Sequence, residues 1–123
     1  MAITFTTEKL QGLEGTAIAG VYARIQSVTV KKYDATTDPD VAAYFSIMYD
    51  VVLHATAVKR NAAGEYPEWG NRLTCREIDH FTATVTTDQM NAADANSYTL
   101  AYADLKTKLA ADDPPKATSI SDA

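Results

Sequence analysis

The residues best equipped for chemistry lie in one run, Cys75-Arg76-Glu77-Ile78-Asp79-His80. A thiol, two carboxylates and an imidazole so close together are the raw material of a metal site or of a nucleophile–base pair. The second histidine of the chain, His54, sits in a long alternating apolar stretch. If the two segments pair as strands, His54 and His80 approach each other. Glu77 or Asp79 could then complete the ligand set of a small metal-dependent hydrolase. Strand geometry opposes this. Successive side chains point to opposite faces, so Asp79 points away from His80 and Glu77 away from both its neighbours. Pairing Cys75 with either histidine as nucleophile and base has no local motif behind it. No serine stands in a strand-to-helix elbow, and no glycine-rich phosphate loop is present. The expectation is no catalytic residue, no metal and no cofactor, with Cys75 a buried, inert thiol. A single cysteine also excludes an internal disulfide.

The elements that would position these residues follow from periodicity. Residues 3–7 alternate apolar side chains with threonine, as a short strand does. Gly12, Gly15 and Gly20 punctuate the loop that follows. Residues 20–33 form a long strand whose alternation slips: Val21, Ala23 and Ile25 share one parity, Val28 and Val30 the other. An extra residue in a bulge at Gln26–Ser27 accounts for the slip. Residues 34–40 are a turn by composition, and Pro39 rules out a central strand there. From Ala43 to Val58 the pattern predicts the strongest strand, with Phe45, Ile47, Tyr49, Val51, Leu53, Ala55 and Ala57 on one face. Residues 61–71 break regular structure. Residues 73–85 read as a third long strand, with Ile78, Phe81, Ala83 and Val85 as its apolar members. Tyr98, Ala101, Tyr102, Leu105 and Leu109 then recur at helical spacing, with Asp94 or Asn96 as the N-cap. The helix ends before Pro114, which pushes Asp113 out of the helical region.

The fold class is therefore α+β: an antiparallel sheet of three or four strands in long hairpins, with one C-terminal amphipathic helix packed on one face. Residues 1–111 form a single domain, and 112–123 an extended polar arm. Ile120 is the arm's one sizeable apolar side chain. The arm either lies back along its own domain or, the favoured expectation, docks on a neighbouring subunit.

The chain has 123 residues, 46% of them hydrophobic and 22% charged, ordinary proportions for one globular domain. Net charge is −5. Residues 1–61 carry six basic and six acidic groups, so the deficit lies in the second half. Such a surface repels phosphate backbones, and nucleic acid is not an expected partner. The first residues lack the basic region and apolar run of a leader, and the longest aliphatic run, Val51-Val52-Leu53, is far short of a membrane span. The expectation is a chain made in a cytoplasm and not held in a membrane. Seven tyrosines and one tryptophan suit a contact surface better than an active site. Tyr66 and Trp69, in the polar loop 61–71, either fold back on the core or project toward a partner. Together with Ile120 they are the candidate interface residues.

Two stretches carry a family resemblance. Val21-Tyr22-Ala23-Arg24-Ile25-Gln26-Ser27-Val28 resembles the "AYARI(D/E)SV" strand of small structural proteins of tailed bacteriophages. Ala101-Tyr102-Ala103-Asp104-Leu105-Lys106-Thr107-Lys108-Leu109 resembles their C-terminal "AYxxLKTLP" helix, in the same order along the chain. The match departs at Lys108, which stands where the family has a proline region, and in the loops 34–42 and 61–71. The resemblance implies a non-enzymatic virion component of the tail, baseplate or adaptor region. A capsid decoration protein of the head is the near alternative. The implied partners are other virion proteins and copies of the chain itself. Two readings of other classes stand beside it: the hydrolase built on His54 and His80, and a module that binds one host protein.

Overall fold

Ile3–Thr7 forms β1, the first strand of a computed structural model that describes residues 2–56, 62–63, 72–92 and 96–123. Its partner is β2 (Ile18–Tyr33), which in turn pairs with β5 (Tyr44–His54). Between these two, β3 (Thr36–Thr37) and β4 (Asp40–Val41) make a small separate ladder at the hairpin tip. The other edge of β5 is shared end to end by β6 (Arg72–Leu73) and β7 (His80–Thr86). A short helix α1 (Thr87–Asn91) and the long α2 (Ser97–Ala110) follow. Finally β8 (Thr118–Asp122) pairs with the free edge of β1. All these strands are antiparallel, in the spatial order β6/β7, β5, β2, β1, β8.

The bulge expected at Gln26–Ser27 is present. Ile25 opposes Val51 and Ser27 opposes Asp50, so Gln26 is the extra residue. It turns Val28 to the same face as Val21, Ala23 and Ile25. A second bulge lies nearer the start of β2, where Phe5 opposes Val21 but Thr7 opposes Ile18. Gly20 takes φ +70° there, a conformation that a side chain would strain.

One face of the sheet carries the core. Ile3, Phe5, Val21, Ala23, Ile47, Tyr49 and Leu53 are buried against Ala101, Tyr102, Leu105 and Leu109 of α2. The helix lies across β2, β5, β7 and β8. Its N-cap is Asn96, whose Oδ1 accepts from the Thr99 N–H at 2.8 Å. Asp94, the other candidate, lies outside the described residues. Tyr98 does not join the core face. It is 44% exposed, in the first turn of the helix.

Four other expectations are corrected. Among the described residues the sheet has six strands rather than three or four. The segment 73–85 is not one strand: residues 74–79 leave the ladder between β6 and β7. Cys75 and Ile78 are both buried, and a spacing of three cannot place two side chains on one face of a strand. A turn does so, closed by Ile78 N–H to the Cys75 carbonyl. The strongest strand stops at His54, and Ala55 is exposed; Ala57 lies outside the described residues. The arm folds back on its own domain as β8 instead of leaving for a neighbour, because the β1 edge offers it backbone partners. Ile120 packs partly buried against the core.

Candidate functional site

The sequence placed its chemistry on His54, His80, Cys75, Glu77 and Asp79. The structure disperses them. His54 is fully buried at the end of β5, opposite Tyr22 and Arg72 on the face away from α2. The Arg24 Nε–H donates to His54 Nε2 at 3.2 Å, and the Tyr22 ring stands 6.3 Å away. His80 opposes Asp50 at the start of β7. Four residues of β5 separate that position from His54, about 13 Å of strand. The histidines therefore share a face but not a ligand. Glu77 and Asp79 lie in the turn before β7, not on a strand. Glu77 pairs with Lys9 at 3.6 Å, and the Asp79 carbonyl accepts from the Val51 N–H. Among the described residues no group of three or more His, Cys, Asp or Glu is arranged to hold a metal ion.

Cys75 packs in the core between sheet and helix, on the opposite face from His54. Burial pushes its thiol up from the ordinary value, outweighing the backbone donors of Glu77 and Ile78. A thiol held neutral is a poor nucleophile.

One polar cluster is new. Ser27, Asp50 and His80 lie in a row across β2, β5 and β7, on the face away from the helix. Ser27 Oγ donates to Asp50 Oδ2 at 2.7 Å, and His80 Nδ1 lies 3.0 Å from Asp50 Oδ1. The Ser27 hydroxyl, then the His80 ring, hold the Asp50 carboxyl below its usual range. The residue types are those of a hydrolytic triad, but the order is wrong. Catalysis needs the imidazole between hydroxyl and carboxylate, to take the hydroxyl proton. Here the carboxylate stands in the middle, and both Asp50 and His80 are more than half exposed. The cluster is a solvated cross-strand network.

Two other networks join helix to sheet. The Ile25 N–H, at the lip of the bulge, donates to Tyr102 Oη at 2.8 Å in a buried setting. Tyr49 Oη donates to Asp104 Oδ2 at 2.6 Å, and Lys108 Nζ bonds both that carboxylate and the Thr82 carbonyl. Burial, with Asp104 beside it, pushes the Tyr49 phenol far above its ordinary range. Neither network was read from the sequence. Their signals were present in Tyr49 and Asp104, but the partners of each lie far apart along the chain.

The interface candidates fare differently. Tyr66 and Trp69 lie outside the described residues. Ile120 faces the core of its own domain. Four exposed large apolar side chains, Val30, Tyr33, Val41 and Met48, lie on the outer half of the β2–β5 hairpin and are 37–40% exposed, while Leu13 and Tyr98 are exposed elsewhere. Tyr33 stacks on Tyr44 with centroids 4.8 Å apart, and Lys31 Nζ lies 5.2 Å from the Tyr33 ring centre. A cleft of about 460 Å³ opens elsewhere, between Glu8, Glu14 and Glu77 on one side and Pro114–Thr118 on the other. Among the described residues no helix is long and apolar enough to cross a membrane.

Comparison with protein-family models, with curated proteins and with solved structures finds no match for this chain.

Proposed function

We propose that this chain is a non-enzymatic structural component of a tailed bacteriophage particle, in the tail, baseplate or adaptor region. One observation carries the reading. The two stretches that bear the resemblance are 77 residues apart at their meeting point, yet they touch: Ile25 of the first donates its N–H to Tyr102 of the second. The shared motifs thus coincide with a structural joint, a bulged strand whose freed donor is taken by a helix tyrosine. A fold common to a family needs such a joint wherever the bulge occurs. The outer hairpin half also exposes Tyr33 and Met48 on the face away from the helix and Val30 on the other, apolar side chains that neighbours in a multi-copy assembly could cover.

The test is quantitative mass spectrometry of purified particles, with heads and tails separated. The expected result is a fixed copy number in the tail fraction. The same copy number in the head fraction would move the assignment to a capsid decoration protein. Absence from particles that are otherwise complete would overturn the structural reading.

A further inference from the structure

We infer that the outer edge of β2, from Val28 to Lys32, is a docking edge that takes up an extended acidic segment of another protein as an added strand. One edge of β2 pairs with β5 from Tyr22 to Tyr33. The other is paired over less than half its length, because β1 ends where Ile3 opposes Ala23. Past the bulge, Gln26 to Tyr33 are exposed apart from the half-buried Val28. The direction of the backbone groups follows from the ladder. The Val51 N–H donates to the Asp79 carbonyl, away from β2. Successive residues of an antiparallel strand bond to opposite sides. Asp50, Met48, Ser46 and Tyr44 therefore bond toward β2, where they oppose Ser27, Thr29, Lys31 and Tyr33. Val28, Val30 and Lys32 turn their N–H and C=O groups the other way, to the open side. On that side the Ile25 N–H is taken by the Tyr102 hydroxyl. Among the described residues nothing bonds the backbone of Val28, Val30 or Lys32 there. The open run is about 16 Å long, roughly five residues of an added strand.

Charge selects the occupant. β2 carries Arg24, Lys31 and Lys32 and no carboxylate, in a chain of net charge −5; the next acid, Asp34, lies past its end. The opposed stretch of β5, Tyr44 to Tyr49, is uncharged. Lys31 and Lys32 point to opposite faces, so an added strand meets an ammonium group on each face. Opposite charges across a ladder stabilise it and like charges destabilise it. A second copy docking edge to edge would bring two lysines from each chain to one seam, with no carboxylate to offset them. Edge lysines deter such self-pairing, and the same groups favour a segment carrying Asp or Glu. The apolar part of the footprint is Val28 and Val30, which share the helix-side face. The segment that fits therefore alternates apolar with acidic residues. The edge and its lysines belong to the chain whether or not it is part of a particle, so the peptide test and the particle test fail separately.

Two capped peptides test it, Thr-Val-Glu-Val-Glu-Val-Thr and the same sequence with Lys in place of Glu, titrated at low salt into the isotope-labelled chain and followed by amide hydrogen exchange. In the free chain the Val28, Val30 and Lys32 amides should exchange faster than those of Thr29 and Lys31, which bond to β5. The Glu peptide should slow exchange at Val28, Val30 and Lys32. It should bind about tenfold tighter than the Lys peptide, the ratio that opposite against like charge at two lysines supplies. Lys31→Glu with Lys32→Glu, on the exposed part of the strand, should reverse that preference. Val30→Pro removes an outward N–H without touching the β5 ladder and should weaken binding of the Glu peptide. No slowing at these three amides in millimolar Glu peptide would overturn the proposal. So would equal binding of the two peptides, or a charge-reversed chain that keeps the parent's preference.

Discussion

Removing a single oxygen from Tyr102 or from Tyr49 should destabilise the chain by a similar amount, but only the change at Tyr102 should expose the Ile25 amide. In Tyr102→Phe the Ile25 N–H loses the hydroxyl that accepts it, in a buried setting. A bulge has already taken that part of β2 out of regular register with β5. An orphaned buried donor costs about 1–3 kcal/mol. In Tyr49→Phe the group left behind is the Asp104 carboxylate, which keeps Lys108 at 2.7 Å. The loss there is a hydrogen bond to a charged group, about 1.5–3 kcal/mol. A 2 kcal/mol loss at Tyr102, roughly the middle of its range, lowers Tm by roughly 6–12 °C for a chain of this size. Urea and thermal unfolding of the two variants measure both costs directly. Amide hydrogen exchange gives a local readout, with protection at Ile25 falling in Tyr102→Phe and unchanged in Tyr49→Phe. A Tyr102→Phe chain as stable as the parent, or an Ile25 amide as protected as before, would refute the reasoning.

Leu105 is fully buried beneath the sheet, so Leu105→Ala should cost about 2–5 kcal/mol in urea unfolding, and an unchanged midpoint would mean the helix does not close the core. The folded-state pKa of Tyr49 is raised, so its contribution is fully present below the unfolded tyrosine value near ~10 and is lost as pH rises above it. Tyr49→Phe should therefore lose less stability than the parent chain between neutral and strongly alkaline pH, measured as urea midpoints. Cys75 should react with iodoacetamide only as the chain unfolds, and labelling of the native protein at the rate of a free thiol would contradict its place in the core.

The sequence revealed local period and missed long-range choice. The bulge at Gln26 was legible because the phase slip between Ile25 and Val28 lies within one strand. The helix face was legible at Ala101, Tyr102, Leu105 and Leu109, but Tyr98 satisfies the same spacing and is exposed. Periodicity reports which residues share a face, not how far the covering element extends. The strand drawn over 73–85 failed at Cys75 and Ile78, whose spacing of three is the mark of a turn. The short helix α1 had a readable signal, the Thr86–Gln89 capping box, in which each residue bonds the other's backbone. Thr86 and Thr87 continue the threonine-rich pattern of the strand before them, which masks the start of this helix. Val52 and His54 lie on the face opposite the helix, yet both are buried. Alternation places them away from the apolar set and says nothing of what shields them. The fate of the arm was beyond local reading, since Thr118–Asp122 can extend equally well toward any open edge. The same limit applies to chemistry: Ser27, Asp50 and His80 are brought together by the register of three strands, and no spacing in the chain announces it.

The pairing of β1 with β8 joins Ile3 to Asp122, nearly the full length of the chain. By contrast, β2 and β5 are neighbours in sequence and can zip together from the tip of their own hairpin. Closing a longer loop costs more entropy, about 0.6 kcal/mol for each doubling, and contacts of high sequence separation slow folding. On the ribosome the central hairpin can therefore form while β1 waits, its outer edge open until residue 122 has emerged. Where many copies are synthesised side by side on one message, that interval is when neighbouring nascent chains meet with the edge unfilled.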